Sequence, residues 1–543
     1  MLSSIQDWPL LVHRIIDHAA AYHGGRRIVT RRPDGRIVRT THAEVRDDAR
    51  RIVGRLLARG LKPGDRVGAL AWNTDLHLAL WYGVMGAGAV HHTINPRLFE
   101  DQIRYIVNDA EDRILVVEAS FLPIIERIAD SLRTVEEVVV LEPWAAIPPT
   151  ALEGTALKIT AWDEFMSGAA PADWVSVPET APAGMCYTSG TTGAPKGVVY
   201  SHRSNVLHAM AMSVPDMLGI SANDVVMPVV PMFHANGWSL AFSAPMQGAA
   251  MVMPGPHLDG ASLFELMEAE GVTLSAGVPT VWLGLLRHME ETGGRLPKLQ
   301  RLVIGGSACP RAMIEAFETR HGVEVVHAWG MTETSPLGTM ARPLPEHREL
   351  DEAARFAVKE TQGRPPFTVE TTVTDDEGRP VPRDGRTFGR LKVRGAAVAG
   401  RYHRNSGAEN FSPDGWFDTG DVAVMDALGF MKITDRSKDV IKSGGEWISS
   451  IELENTALSH PDVAEAAVVG VPHPKWDERP LLLIVPVEGA ARDGGAILAH
   501  IAPHVAKWWL PDSVEFVEEI PHTATGKIHK LTLRERYRTY YGA

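Results

Sequence analysis

The sequence contains little cysteine and no long apolar run. Cys186 and Cys309 are the two cysteines among 543 residues, too few for a disulfide framework, so a reducing cytoplasm is expected. The longest apolar run, 78–90, contains three glycines and is shorter than a membrane-spanning helix requires, so no integral membrane association is expected. The first residues include early acidic side chains and no uninterrupted apolar core, so we do not expect a secretory signal.

An excess of positive charge is also absent. The formal net charge is −13, which argues against nonspecific binding to nucleic acid or to an anionic membrane surface. A polyanionic ligand would therefore have to be met by local positive groups. Hydrophobic residues make up 45% and charged residues 22%, as in ordinary globular enzymes, and the length predicts about two to four structural units.

Helical and strand-like segments alternate in the first half, without a fixed-period repeat. Residues 41–44, Thr-His-Ala-Glu, form a capping box before apolar residues at helical spacing, and Gly60 is a plausible stop. Segments 67–72, 113–118 and 137–142 are typical of buried strands. Alternation of this kind predicts largely parallel α/β sheets.

The sequence pattern changes in the second half. Short β-rich segments with turn signals occupy 371–394, and strand-like segments continue beyond the charged sequence DRSKD at 435–439. We therefore predict an α/β fold: a large N-terminal domain, 1–434, with two α/β subdomains and a β-rich subdomain. A hinge at 435–439 would join it to a small mobile α+β domain at 440–543.

The sharpest local feature is TSGTTGAPKG at 188–197. Its three glycines, four hydroxyl side chains and one lysine offer backbone N–H groups, hydroxyls and a cation, which the phosphates of a nucleotide require. Lys196 is followed by Gly197, so the spacing is not that of a Walker loop. A flexible Gly/Ser linker is the alternative interpretation.

This loop resembles the phosphate-binding loop of the adenylate-forming superfamily, which includes acyl-CoA synthetases, peptide-synthetase adenylation domains and beetle luciferases. Further segments match in the family's order: PMFHANGW (231–238), GGSACP (305–310), AWGMTET (328–334), DGWFDTGD (414–421) with 435–455, and PHTATGKIHK (521–530). The resemblance implies attack of a carboxylate on ATP, giving acyl-AMP and pyrophosphate, followed by transfer of the acyl group to coenzyme A.

The resemblance also implies where ATP and Mg²⁺ bind. Glu333 and Thr192 would serve the metal, Thr332 a phosphate, Asp421 both ribose hydroxyls and Arg436 the ribose and phosphate oxygens. The implied nucleotide-binding residues are Thr188, Ser189, Gly190, Thr191, Thr192, Gly193, Lys196, Gly305, Gly306, Ser307, Ala328, Trp329, Gly330, Asp421, Ile433 and Arg436.

The remaining roles follow from the same resemblance. The implied catalytic residues are Lys527, Glu333, Thr332 and His234, and Lys438 matches the hinge. The implied acyl pocket consists of Trp238, Val278, Gly305 and Met331. The implied CoA path consists of His234, Ser443, Gly444, Gly445, Glu446 and Trp447, where small residues would let the pantetheine arm pass.

The form GGEWISS resembles the short- to medium-chain acyl-CoA branch, including ligases for 3-(methylthio)propanoate. The bulky Trp238 favours short or medium acids, and a thioether sulfur is close to a methylene in size. A carrier-protein-loading enzyme, a luciferase-like oxygenase and a non-catalytic nucleotide-binding scaffold are the alternatives. Homodimers are common among the family, so a homodimer is possible.

Overall fold

The computed structural model describes residues 4–188, 194–444, 446–522 and 528–542. Its α-helices are α1 (His13–His23), α2 (His42–Ala58), α3 (Asp75–Gly86), α4 (Glu100–Ala110), α5 (Leu122–Ile128), α6 (Trp162–Met166), α7 (His202–Ser213), α8 (Leu240–Gln247), α9 (Gly260–Glu270), α10 (Pro279–Thr292), α11 (Arg311–Glu315), α12 (Glu352–Glu360), α13 (Ser450–Leu458), α14 (Gly494–Ile501) and α15 (Lys530–Arg536). None of the helices in these ranges has the length and apolar character needed to cross a bilayer.

The strands form four sheets. They are β1 (Arg27–Arg31), β2 (Ile37–Thr41), β3 (Arg66–Leu70), β4 (Val90–Thr93), β5 (Asp112–Val117), β6 (Glu137–Val140), β7 (Lys158–Ala161), β8 (Pro182–Tyr187), β9 (Gly197–Ser201), β10 (Val225–Pro228), β11 (Ala250–Met253), β12 (Leu274–Gly277), β13 (Arg301–Ile304), β14 (Glu324–Gly330), β15 (Leu337–Met340), β16 (Val369–Thr374), β17 (Gly389–Gly395), β18 (Phe417–Met425), β19 (Met431–Arg436), β20 (Ile441–Ser443), β21 (Glu446–Ile448), β22 (Val463–His473), β23 (Asp477–Pro486) and β24 (Ser513–Phe516).

Two of the sheets are largely parallel. One has the order β7-β6-β5-β3-β4-β8-β9, and the other has the order β15-β14-β13-β12-β10-β11-β1-β2. Antiparallel pairs occur at edges of these sheets, between β8 and β9, β1 and β2, and β14 and β15. A core cluster that includes Ile52, Trp81 and Phe242 contains buried residues from both sheets and their helices, so it fixes one sheet against the other.

The other two sheets match the β-rich and C-terminal regions. Strands β16 to β19 form a four-stranded antiparallel sheet, and β20 to β24 form a five-stranded sheet in which β24 pairs in parallel with β23. The predicted fold class is therefore confirmed. The domain boundaries at 434 and 440 stay predictions.

Helix α2 illustrates how the local sequence signals act. Thr41 is its N-cap and accepts a hydrogen bond from the N–H of Glu44, as the capping box predicts. The helix buries Val45, Ala49, Ile52, Val53 and Leu56 at the spacing of one helical face. This burial packs α2 against α3 beside the seven-stranded sheet.

Candidate active site

One large group of the predicted site residues lies at the carboxyl ends of parallel strands in the eight-stranded sheet. Strand β10 leads into residues 229–238, β12 into Val278, β13 into Gly305, and β14 ends at Gly330. Open α/β sheets place ligand sites at these ends because the connecting loops converge there. Segments far apart in sequence are thereby brought into one cleft.

A cavity of about 180 Å³ occupies this cleft. Its lining includes seven predicted site residues: His234, Trp238, Val278, Gly305, Gly306, Ala328 and Gly330. Met331 is not among its lining residues and instead packs against the core of the β-rich sheet.

Glycine at 305 is required by close packing. A Cβ placed on Gly305 would lie 2.7 Å from the carbonyl oxygen of Ala328 and 3.1 Å from the indole of Trp238. A Cβ on Gly306, whose φ is +82°, would lie 3.1 Å from Val278. The indole of Trp238 therefore rests against bare main chain and forms one wall of the cavity.

The turn that carries Trp238 has an unusual backbone. Residues 235–239 all have positive φ, and for Trp238 φ and ψ are 51° and 37°. Left-handed helical conformation costs roughly 1–2 kcal/mol for each residue other than glycine, so the surrounding contacts must hold it. One of these is a hydrogen bond of 3.1 Å from the Asn236 amide to Asn205, with both side chains buried.

The predicted ribose contacts come together on the β-rich sheet. The antiparallel pairing of β18 and β19 sets Asp421 opposite Arg436. One oxygen of Asp421 accepts a hydrogen bond of 3.0 Å from the indole N–H of Trp329, and the other lies 2.9 Å from Nε of Arg436. Arg436 also donates to the carbonyl of Thr419 at 3.1 Å. Two donors therefore orient the Asp421 carboxylate.

Glu333 is a buried carboxylate beside this group. It is 3% exposed, and it accepts a hydrogen bond from the hydroxyl of Tyr402. Burial raises the pKa of Glu333, whereas the Tyr402 hydrogen bond and the charge of Arg436 oppose that rise. A divalent cation next to the carboxylate would favour its charged form, and Mg²⁺ prefers hard oxygen ligands of this kind. The Glu333 carboxylate therefore fits the role of a ligand that would hold Mg²⁺.

Sequence reasoning missed Tyr402. Its ring also lies beneath Lys196, whose Nζ is 5.1 Å from the ring centroid. Burial and the charge of Glu333 raise the pKa of Tyr402, so it stays a hydrogen-bond donor. Tyr402 thus joins the predicted metal carboxylate to the lysine of the phosphate loop, and none of the motifs considered contains it.

Removing the Tyr402 hydroxyl should weaken metal binding. We expect Tyr402→Phe to keep the ring beneath Lys196 while raising the Mg²⁺ concentration for half-maximal adenylation about tenfold or more. The measurement is a Mg²⁺ titration of acid-dependent pyrophosphate release. Tyr540→Phe removes another tyrosine–glutamate hydrogen bond, to Glu515, and is the matched control. An unchanged Mg²⁺ requirement in Tyr402→Phe would contradict the role assigned to the hydroxyl.

Other predicted residues are distributed as follows. The ends of the phosphate loop are joined, since Thr188 N–H donates to the Lys196 carbonyl at 2.9 Å and its hydroxyl accepts from Lys196 N–H at 3.1 Å. Ser307 is exposed, and the main-chain N–H of Ile433 donates to Gln362. Ser189, Gly190, Thr191, Thr192, Gly193, Gly445 and Lys527 lie outside the described residues, as do the side chains of Glu446 and Trp447.

Two residues of the predicted CoA path, Ser443 and Gly444, lie at the end of β20 in the C-terminal sheet. Ser443 is buried and accepts a hydrogen bond from Arg479 at 3.3 Å. Gly444 has φ +61°, and a Cβ there would lie 3.0 Å from the Trp476 ring. Because this conformation and this contact both disfavour a side chain, the main chain at 444 stays bare.

A group of buried polar side chains surrounds Asp435, the first residue of the predicted hinge. The Asp435 carboxylate, 1% exposed, accepts hydrogen bonds from the N–H and hydroxyl of Ser450 at 2.8 and 2.5 Å. Lys530 lies 2.8 Å from Glu454 and also donates to Ser450. Burial raises the pKa values of Asp435 and Glu454, an effect that the charge of Lys530 opposes. The group therefore joins strand β19 to helices α13 and α15.

Comparison with known proteins agrees with this geometry. Residues 16–403 match the family model described as AMP-binding enzyme, and residues 452–527 match the AMP-binding enzyme C-terminal domain. The chain is 51% identical to 3-methylmercaptopropionyl-CoA ligase of Ruegeria pomeroyi, with 99% of each chain covered. It is 46% identical to medium-chain-fatty-acid–CoA ligase of Ectopseudomonas oleovorans, over 99% of this chain and 98% of that one.

A solved structure shares the same fold. The crystal structure of an anthranilate CoA ligase in complex with anthranoyl-AMP superposes with a TM-score of 0.86 at 25% identity, covering 99% of both chains. The chain therefore belongs to the AMP-binding enzyme family, the adenylate-forming superfamily that the motifs predicted.

Proposed function

We propose that the acid activated by this chain is short or medium in length, with 3-(methylthio)propanoate as the preferred candidate. The chain is an AMP-forming acid–thiol ligase, with ATP, Mg²⁺ and coenzyme A as the partners of the acid. A carrier-protein loader and a luciferase-like oxygenase have less support, because the relatives of similar length are named CoA ligases.

The observation that carries the choice of acid is the Trp238 indole against Gly305, across a cavity of about 180 Å³. A long alkyl tail extending past this wall would have to displace a buried tryptophan. The relative named 3-methylmercaptopropionyl-CoA ligase supports a thioether acid in the same slot. A sulfur atom suits it because a thioether is polarizable and close to a methylene in size.

In this proposal different residues bind different parts of the nucleotide during adenylation. Asp421 and Arg436 orient the ribose, and Trp329 packs beside adenine while holding Asp421. Lys196 is the lysine of the phosphate loop. Glu333 would hold Mg²⁺, which would supply positive charge to the phosphates. The cavity would direct the acid at the α-phosphate.

The second step is attack of the CoA thiol on acyl-AMP. We assign His234, which lines the cavity, to the point where the acyl pocket meets the CoA path. Cys186 and Cys309 are buried thiols, and burial raises the pKa of each. They are poor nucleophiles in that state, so we assign no covalent enzyme intermediate to this step.

The acid profile tests the proposal. The measurement is kcat/KM for CoA- and ATP-dependent AMP release, with acids from about two to about sixteen carbons plus 3-(methylthio)propanoate. We expect the activation free energy derived from kcat/KM to fall by about 0.8 kcal/mol for each added CH₂ until the tail meets Trp238. Trp238→Ala should extend the accepted length, and Trp238→Phe, which keeps an aromatic wall, should extend it less. A parent that prefers a sixteen-carbon acid, or an alanine variant with an unchanged profile, would overturn the pocket assignment.

Two further inferences concern the setting of the enzyme. We place it in the cytoplasm, since a chain with two buried thiols suits a reducing compartment. We also infer a homodimer, which light scattering of the purified protein would test by its mass in solution.

A further inference from the structure

Asn73 bridges the two large sheets at the wall of the cavity. It follows β3 of the seven-stranded sheet, and its side chain is 3% exposed. The amide nitrogen donates to the carbonyls of Pro228 and Val230 at 2.7 and 2.9 Å. The amide oxygen accepts from the N–H of Met232 at 2.6 Å. One side chain thus holds three main-chain groups of the segment that follows β10.

These bonds use both N–H donors and the oxygen of the amide, so each substitution has a definite cost. An aspartate would direct a carboxylate at two carbonyl oxygens, whereas an alanine would leave all three main-chain groups without this partner. The orientation of the amide follows from the same network, because two acceptors face its nitrogen and one donor faces its oxygen.

The segment that Asn73 holds belongs to the acyl cavity. Val229, Val230 and Pro231 line it, and the chain then passes through His234 into the left-handed turn at 235–239. Met232 also packs against that turn, since a Cβ on Gly237 would lie 3.4 Å from the Cα of Met232. The position of residues 228–232 is therefore transmitted directly to the turn.

Trp72, which precedes Asn73, also contacts the segment that follows β10. The ring of Trp72 lies 6.0 Å from the ring of Phe233, edge to face, and 5.0 Å from that of Phe121. Phe233 lines the cavity. Residues 72 and 73 thus contact the wall segment through one aromatic ring and one amide.

We propose that Asn73 is a positioning residue for acid selectivity. It holds residues 228–232 in place and thereby keeps the strained turn, with Trp238, against Gly305. The proposal rests on the proposed function in one respect, namely that this cavity receives the acyl chain. Without the three hydrogen bonds the turn can relax toward ordinary backbone, which moves the indole and changes the length of acid that fits.

Substitution of Asn73 should affect nucleotide binding less than it affects acid selectivity. Asp421 and Arg436 lie on β18 and β19, and Glu333 follows β14, whereas the three side-chain hydrogen bonds of Asn73 are made to residues 228–232. A displaced indole should therefore alter KM for the acid and the ratio of kcat/KM between acids, while KM for ATP stays near that of the parent.

The test compares Asn73→Asp, Asn73→Ala and Asn73→Ser with the parent across the acid series given above. We expect the ratio of kcat/KM between a short and a medium acid to change about tenfold or more in the aspartate and alanine variants, because small displacements of a bound reactant have effects of this order. The serine variant keeps one hydroxyl donor and should lie between them and the parent. KM for ATP should change less than about twofold.

Asn108 provides the matched control. Its amide also bridges main-chain groups, donating to Ser131 at 3.0 Å and accepting from Arg133 at 2.8 Å, but it lies outside the cavity. Asn108→Asp and Asn108→Ala should lower the thermal unfolding temperature without changing the ratio between acids. If the Asn73 variants lose rate equally for every acid, as a purely structural residue would, the proposal is overturned.

The experiment distinguishes a failure of the Asn73 proposal from a failure of the proposed function. A parent that prefers long acids overturns the proposed acid, but the Asn73 proposal still depends on whether the profile shifts. If the aspartate and alanine variants do not fold, the serine variant decides, and an unchanged profile in a folded serine variant overturns the proposal.

Discussion

Lys527→Ala is expected to slow adenylation about a hundredfold or more, a loss of roughly 3 kcal/mol in transition-state stabilisation. The carboxylate and the α-phosphate are both negative, and a lysine between them would offset the charge that develops as they react. Thioester formation from supplied acyl-AMP has no such requirement and should suffer much less. Lys527 lies outside the described residues, so this expectation depends on the motif at 521–530.

The two half-reactions can be measured separately. Pyrophosphate release with acid and ATP reports adenylation, and acyl-CoA formation from synthetic acyl-AMP reports transfer. Lys507→Ala removes an exposed lysine from the same C-terminal region and should leave both rates near those of the parent. Equal losses in the two half-reactions of Lys527→Ala would contradict a lysine that acts in adenylation alone.

Lys438→Pro is expected to abolish most CoA transfer while adenylation survives. Proline fixes φ at about −65° and also restricts the preceding residue, so a swing of the C-terminal domain about this position would be hindered. Asp421 and Arg436, the proposed ribose contacts, precede Lys438, so we expect them to be independent of that swing. Single-turnover measurement of acyl-AMP formation and of its decay on addition of CoA distinguishes the two steps.

Lys438→Ala is the control for loss of the side chain. It removes the ammonium but leaves backbone rotation free, so CoA transfer should stay within about threefold of the parent. A proline variant that transfers acyl groups to CoA at the parental rate would show that rotation about Lys438 is not required.

Local signals in the sequence predicted the elements well because they act over a few residues. The capping box at Thr41 and the buried segments of β3, β5 and β6 fell where expected, since a hydroxyl cap and a run of β-branched residues have few alternative conformations. The residues of the cleft were predicted through the order of the motifs, and the carboxyl ends of the strands then explain why those motifs meet.

Tyr402 and Asn73 could not be predicted in this way. Each acts on a group far away in sequence, Tyr402 on Glu333 and Asn73 on residues 228–232, and no local pattern encodes such a partner. The turn at 235–239 was missed because the local sequence preference there is misleading. Asn236 and Gly237 tolerate positive φ, but Trp238 disfavours it, so local preference points away from the conformation that packing imposes.

The buried group around Asp435 has a consequence for the kinetics of the catalytic cycle. A swing about Lys438 would part Asp435, which precedes Lys438, from Ser450 and Lys530, which follow it. Halfway through the swing the Asp435 carboxylate would lie partly desolvated without its donors, which is costly, whereas Lys530 would keep Glu454 beside it. Intermediate orientations are therefore depopulated, so the enzyme should dwell in discrete orientations and cross between them abruptly, as single-molecule distance traces would record.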